Sequence, residues 1–196
     1  MSALPGFLRR WLNSNLTEKV GVQPVRFSGW GEMVKESPAK ARLHLRNSEV
    51  IAVVALLDLY GPTFYPTSRT QVVERFDWAK AHLENQVNDP RFRQHFAVHD
   101  VEAWILSQPE LLPPQVQKRL PGKSAKPEAV NFKEPPAELL DRLYKEATGR
   151  GYKKRTYGQE LFRELDPQVV REMCPYFRRL ADELVDLAKK ALGTVG

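Results

Sequence analysis

Cysteine is almost missing from this sequence: Cys174 is the only one in 196 residues. That excludes an internal disulfide and any cysteine-built zinc site, and it suits a reducing cytoplasm. Cys174 itself reads as a small buried hydrophobe. No apolar run approaches the ~20 residues of a membrane span. The run at 50–57 ends in Asp58 and a turn. Arg9 and Arg10 are followed by no long apolar stretch and no small-residue cleavage site, so nothing signals export. Also absent are the Walker phosphate loop, GxSxG, HExxH, paired CxxC and the dinucleotide GxGxxG, which narrows the catalytic schemes open to the chain. There is no internal repeat and no low-complexity tract, which excludes a solenoid.

What is present is an ordinary globular composition, 42% hydrophobic and 28% charged, in a length that fits one core. Thirty Lys and Arg against 24 Asp and Glu leave a net charge of +6, which favours polyanionic partners in a general way.

Residues 50–59 are the most informative stretch. They are apolar and β-branched, as in a parallel strand buried on both faces, and they deliver Asp58 to the turn Tyr60-Gly61. Ligands of such sheets gather beyond the carboxyl ends of the strands. The spacing predicts a helix over 4–16, a strand over 22–27, and a helix over 39–46 opened by Pro38. A two-proline loop over 61–68 and a helix over 70–87 follow the central strand. A strand over 92–98 and a short helix over 100–107 come next. Alternating strands and helices imply an α/β core over 1–108 with a mainly parallel sheet flanked by helices. Prolines at 109, 113, 114, 121, 127, 135 and 136 make 109–134 irregular, and helical patterns return at 136–147, 158–165, 166–173 and 175–192. The segment 109–196 is thus expected to be a C-terminal helical extension packed on the core.

Three constellations carry candidate chemistry. Asp58 closes one strand, and His99-Asp100-Val101-Glu102 closes the next. If those strands are parallel neighbours, Asp58, Asp100 and Glu102 converge on a hard cation such as Mg2+ or Mn2+. Asp100 also fits the cap of the helix that follows, and His99 reads either as ligand or base or as a satisfied buried imidazole. The third is 149–158, where Arg150, Lys153, Lys154 and Arg155 lie among two tyrosines and three glycines. This loop suits a nucleic-acid backbone, and equally a solvated connection between helices. Lys118, Arg119, Lys123, Lys126 and Lys133 add to the basic surface.

Taken together, residues 56–66, His99-Asp100-Val101-Glu102-Ala103-Trp104, residues 130–136 and Gly151-Tyr152-Lys153-Lys154 resemble an uncharacterised prokaryotic family with a Toprim-like core. Its members are commonly encoded beside AAA or SMC-like ATPases, often in phage-defence loci. The resemblance covers nearly the whole chain. It implies a divalent-metal-dependent nuclease or phosphoryl-transfer fold acting on DNA or RNA, in which Asp58 matches the first aspartate of the Toprim Asp-x-Asp. Tyr60 stands at the second, and Glu102 with Asp100 supplies acids after the following strand. No apolar strand ending in Glu-Gly precedes Asp58. The resemblance therefore implies either a start ~10–40 residues upstream or a version without the general acid/base. On this reading Asp58, Asp100 and Glu102 hold the metal, Asp58, His99 and Glu102 carry catalysis, and Arg150, Lys153, Lys154 and Arg155 hold phosphate. The rival is a non-catalytic nucleic-acid-binding or ATPase-docking module. A small-molecule phosphohydrolase is a third class.

Overall fold

The computed structural model describes residues 3–129 and 134–193. The resemblance residues 130–133, Lys133 among them, lie outside the described residues.

Strand β1 (Val53–Asp58) pairs in parallel with β2 (Phe92–Ala97), in a register that sets Val53 beside Phe92 and Asp58 beside Ala97. Parallel neighbours need a crossover, and helix α3 (Val72–Val87) provides it. The α3 start is held by Glu74, whose carboxylate accepts the backbone N–H of Thr70 and Gln71, both at 3.2 Å. It ends at Asn88, whose left-handed φ of 52° is a conformation asparagine tolerates.

The alternation along β1 divides the interior. Ala55 and Leu57, with Val53 packed beside them, face a cluster built with α3 and with α2 (Trp30–Leu45). Val54 and Leu56 face the larger cluster, which combines α1 (Leu4–Asn15) and the buried α4 (Glu102–Leu106) with helices from the C-terminal part of the chain. These are α5 (Pro114–Gln117), α6 (Pro136–Thr148), α7 (Tyr157–Glu164), α8 (Pro167–Met173) and α9 (Pro175–Ala191). Phe7, Trp104 and Phe177 meet at its centre with ring centroids 4.7–5.9 Å apart, so truncating Trp104 to alanine costs about 3–5 kcal/mol. Cys174 is buried there as a small hydrophobe of the core. Asp166 caps α8 by accepting the Gln168 N–H at 2.8 Å.

The α/β class stands, with a small parallel sheet between helices. Two expectations are corrected. Residues 22–27 form no strand: the segment has no regular structure and is largely exposed, Pro24 removes a donor, and neither β1 nor β2 pairs with it. Helix α2 begins at Trp30 and runs through Pro38. The buried stripe Met33, Ser37, Ala41 and Leu45 continues at four-residue spacing across the proline, so packing outweighs the one missing N–H bond. Among the described residues, no helix is long and apolar enough to cross a membrane.

Candidate functional site

The parallel register brings the two acid-bearing strand ends together. Past β1 the chain stays tied to the β2 side: the Leu59 N–H donates to Ala97 O at 2.9 Å and the Tyr60 N–H to His99 O at 2.7 Å. Asp58 Oδ1 accepts the Val101 N–H at 3.2 Å, one residue before α4 begins. Glu102 opens α4 inside the core with no exposed surface at all.

A cation reaches both carboxylates from the other half of the molecule. The Lys154 ammonium lies 2.9 Å from Glu102 Oε2 and 3.9 Å from Asp58 Oδ2. Its loop leaves α6 at Gly149, whose φ of 72° favours glycine. The loop then passes Gly151, where any side chain would run into the Asp141 carboxylate. Tyr152 anchors it by packing its ring on Tyr144, 5.6 Å between centroids.

The second Glu102 oxygen, Oε1, is buried without a hydrogen-bond partner. The Tyr152 hydroxyl comes near the same carboxylate but makes no bond of good geometry. Burial, and then the Glu102 charge, push the Tyr152 pKa up. An unmatched carboxylate oxygen in such a place is costly unless something else meets it.

Asp100 is committed differently. Its Oδ1 accepts the Glu102 N–H at 3.1 Å and its Oδ2 the Ala137 N–H at 3.2 Å, so it serves the first turns of both α4 and α6. Burial, followed by the charges of Glu102 and Asp58, pushes it up to about 7. Burial also raises Glu102 and Asp58, against the pull of Lys154. Asp58 keeps 38% of its side-chain surface exposed, so solvent screens its share. For Lys154, burial works downward, but Glu102 and Asp58 outweigh it and the net direction is up.

The structure thus joins Asp58, Glu102 and Lys154, with Asp100 beside them holding backbone. His99 hydrogen-bonds the backbone of Glu128, and burial lowers its pKa to about 4, so the ring is neutral at pH 7. Arg150, Lys153 and Arg155 are exposed, and so are Lys118, Arg119, Lys123 and Lys126. Among the described residues, no three His, Cys, Asp or Glu side chains form a group that would hold a metal unaided.

Two acids, the half-buried Glu183 and the buried Glu128, escaped the sequence reading. Glu183 of α9 accepts from His95 Nε2 at 2.6 Å and Arg93 Nε at 2.5 Å, with Lys80 at 3.7 Å. Glu128 accepts the Tyr176 and Phe177 N–H groups at 2.7 and 3.1 Å, closing the start of α9 from a distant segment. Burial raises the Glu128 carboxyl to about 7. The signal for Glu183 was the polar run Arg93-Gln94-His95 inside strand β2, which demanded partners in the interior.

Comparison with known proteins gives a family. The family model described as "Domain of unknown function (DUF4276)" matches residues 2–185, and the chain belongs to that family. No curated protein and no solved structure matches.

Proposed function

We propose that this member of the family is a divalent-metal-dependent phosphodiester-hydrolysing protein that acts on nucleic acid, with its site at Asp58, Glu102 and Lys154. The observation that carries the reading is Glu102, fully buried with one oxygen on an ammonium and the other unmatched. Magnesium binds through one or two carboxylates, retains several waters and takes the rest of its shell from substrate phosphates. Two acids with an unsatisfied oxygen fit that demand, and a third protein ligand is not required. Asp58 and Glu102 would hold the ion, which supplies charge neutralisation at the scissile phosphate and an acidified water.

The chain's own residues do the remainder. Asp100 sets the first turn of α4 and so aims Glu102. Lys154 carries positive charge to the same place, and Arg150, Lys153 and Arg155 extend it outward for a phosphate backbone. The Toprim-like ancestry, the prokaryotic defence setting and an AAA or SMC-like ATPase partner belong to this reading through the motif resemblance alone.

A second reading has one observation in its favour. Lys154 already spans both carboxylates, as it would in a non-catalytic nucleic-acid-binding or ATPase-docking module that keeps the fold. Labelled single-stranded DNA, duplex DNA and RNA, incubated with Mg2+, Mn2+ or EDTA, separate the two. Hydrolysis reads out as metal-dependent cleavage that falls about 100-fold or more in Asp58→Ala. Oligonucleotide binding with no cleavage under any metal selects the module.

A further inference from the structure

We infer that Lys154 is the resident counter-ion of the Asp58–Glu102 pair, and that a divalent cation can enter only by displacing its ammonium, which is then free to meet a substrate phosphate. The inference rests on the metal reading above and concerns how that site is regulated.

The geometry supports alternate occupancy rather than co-occupancy. The ammonium lies between the two acids, 2.9 Å from Glu102 Oε2 and 3.9 Å from Asp58 Oδ2. An ion shared by both carboxylates has to enter the space that this group fills. Two cations side by side there would repel, since the third acid, Asp100, has both oxygens engaged with backbone N–H groups. A dication would also neutralise the two carboxylates by itself, which removes the attraction that holds the lysine inward.

The side chain is built to leave. Lys154 is 46% exposed on a four-carbon stem, so its head can swing into water without unpacking the core. Tyr152 stays behind, its ring on Tyr144, and keeps the loop in place while the ammonium moves. Glu102 Oε1 points to the same conclusion. The lysine satisfies only one of its two oxygens, as a placeholder would.

The test is calorimetric titration of the full chain with MnCl2 alone, comparing wild type, Lys154→Met and Lys154→Arg. Lys154→Met is expected to bind Mn2+ about tenfold tighter or more, the scale on which neighbours of a metal site change affinity. Lys154→Arg, still cationic, should match wild type or bind more weakly. Should Lys154→Met fail to fold, the wild-type protein answers by NMR. A slowly exchanging Lys154 ammonium resonance, assigned by its loss in Lys154→Arg, should disappear on addition of Mg2+. Equal Mn2+ affinity in all three chains, or an ammonium resonance unmoved by bound metal, overturns the inference and leaves the metal reading standing. No metal binding by any chain overturns both. Tighter binding by Lys154→Met without nucleic-acid cleavage by wild type upholds the inference and removes the hydrolase.

Discussion

Two clusters of wholly or partly buried charge flank the same pair of strands, and they are balanced in opposite ways. Around Glu183, one carboxylate meets His95, Arg93 and Lys80. Burial alone would raise its pKa, but the His95 hydrogen bond and these charges bring it down to about 2. Around Glu102, two acids share one ammonium with Asp100 beside them, a carboxylate oxygen has no partner, and burial pushes every carboxyl upward. The first arrangement is what a stabilising ion-pair network looks like: both Glu183 oxygens are engaged by cationic or imidazole partners, and the orphaned atom there is His95 Nδ1 rather than a carboxylate oxygen. The second holds negative charge in excess of what the fold needs, and an excess of that kind is expected where a ligand completes the balance.

The largest effect that would sharpen this contrast is on activity. Asp58→Ala and Glu102→Ala should each lower metal-dependent cleavage by about 100-fold or more, while Glu183→Ala should leave the cleavage rate per folded molecule within about threefold of wild type. Gel-based kinetics with a labelled oligonucleotide reads both.

On stability the order reverses. Glu183→Ala removes the partner of His95 Nε2 and the acceptor of Arg93 Nε, while Lys80 keeps Glu84 at 2.5 Å, and should lower unfolding free energy by about 2–3 kcal/mol in urea titrations. The pH window follows from the sign. Because the Glu183 carboxyl is held at about 2 rather than the ordinary 4.5, its contribution is complete above pH 4.5. It fades as the pH falls toward 2.

Asp100 has the opposite linkage. With its carboxyl raised to about 7, the folded chain keeps a proton that the unfolded chain releases, so stability declines as pH rises from about 4 to 7. Asp100→Asn should flatten that decline by on the order of 1–3 kcal/mol, measured as melting temperature against pH. The smallest effect belongs to Gly151→Ala. A methyl group would crowd the Asp141 carboxylate, shift the loop that carries Lys154 and cost about 1 kcal/mol in the same melts.

The site was legible in the sequence to the extent that it depends on strand ends. The apolar run at 53–57 announces itself by composition, the segment 92–97 less so because Arg93, Gln94 and His95 interrupt it, and parallel pairing of the two puts Asp58 near Val101 and Glu102. Asp100 as the acid at the start of α4 was legible from its position before the helix. Its second bond, to Ala137, was not, because it links segments 37 residues apart. Lys154 was visible as one cation among four in a loop, and nothing local distinguished it from Lys153. Its partnership with Glu102 spans 52 residues and depends on how α6 returns the chain. The strand expected at 22–27 failed for the converse reason: local propensity was present, but no sheet edge pairs with it. Pro38 misled because a single proline is a strong local signal and a packing stripe is a long-range one.

The central claim is that the buried Glu102 carboxylate is held ready for a cation. Melting wild type and Glu102→Gln with and without millimolar Mg2+ tests it most directly, since a ligand bound only by the folded state raises its stability. The account predicts that Mg2+ raises the wild-type melting temperature and leaves that of Glu102→Gln unchanged. An identical response of the two chains to Mg2+ would contradict it.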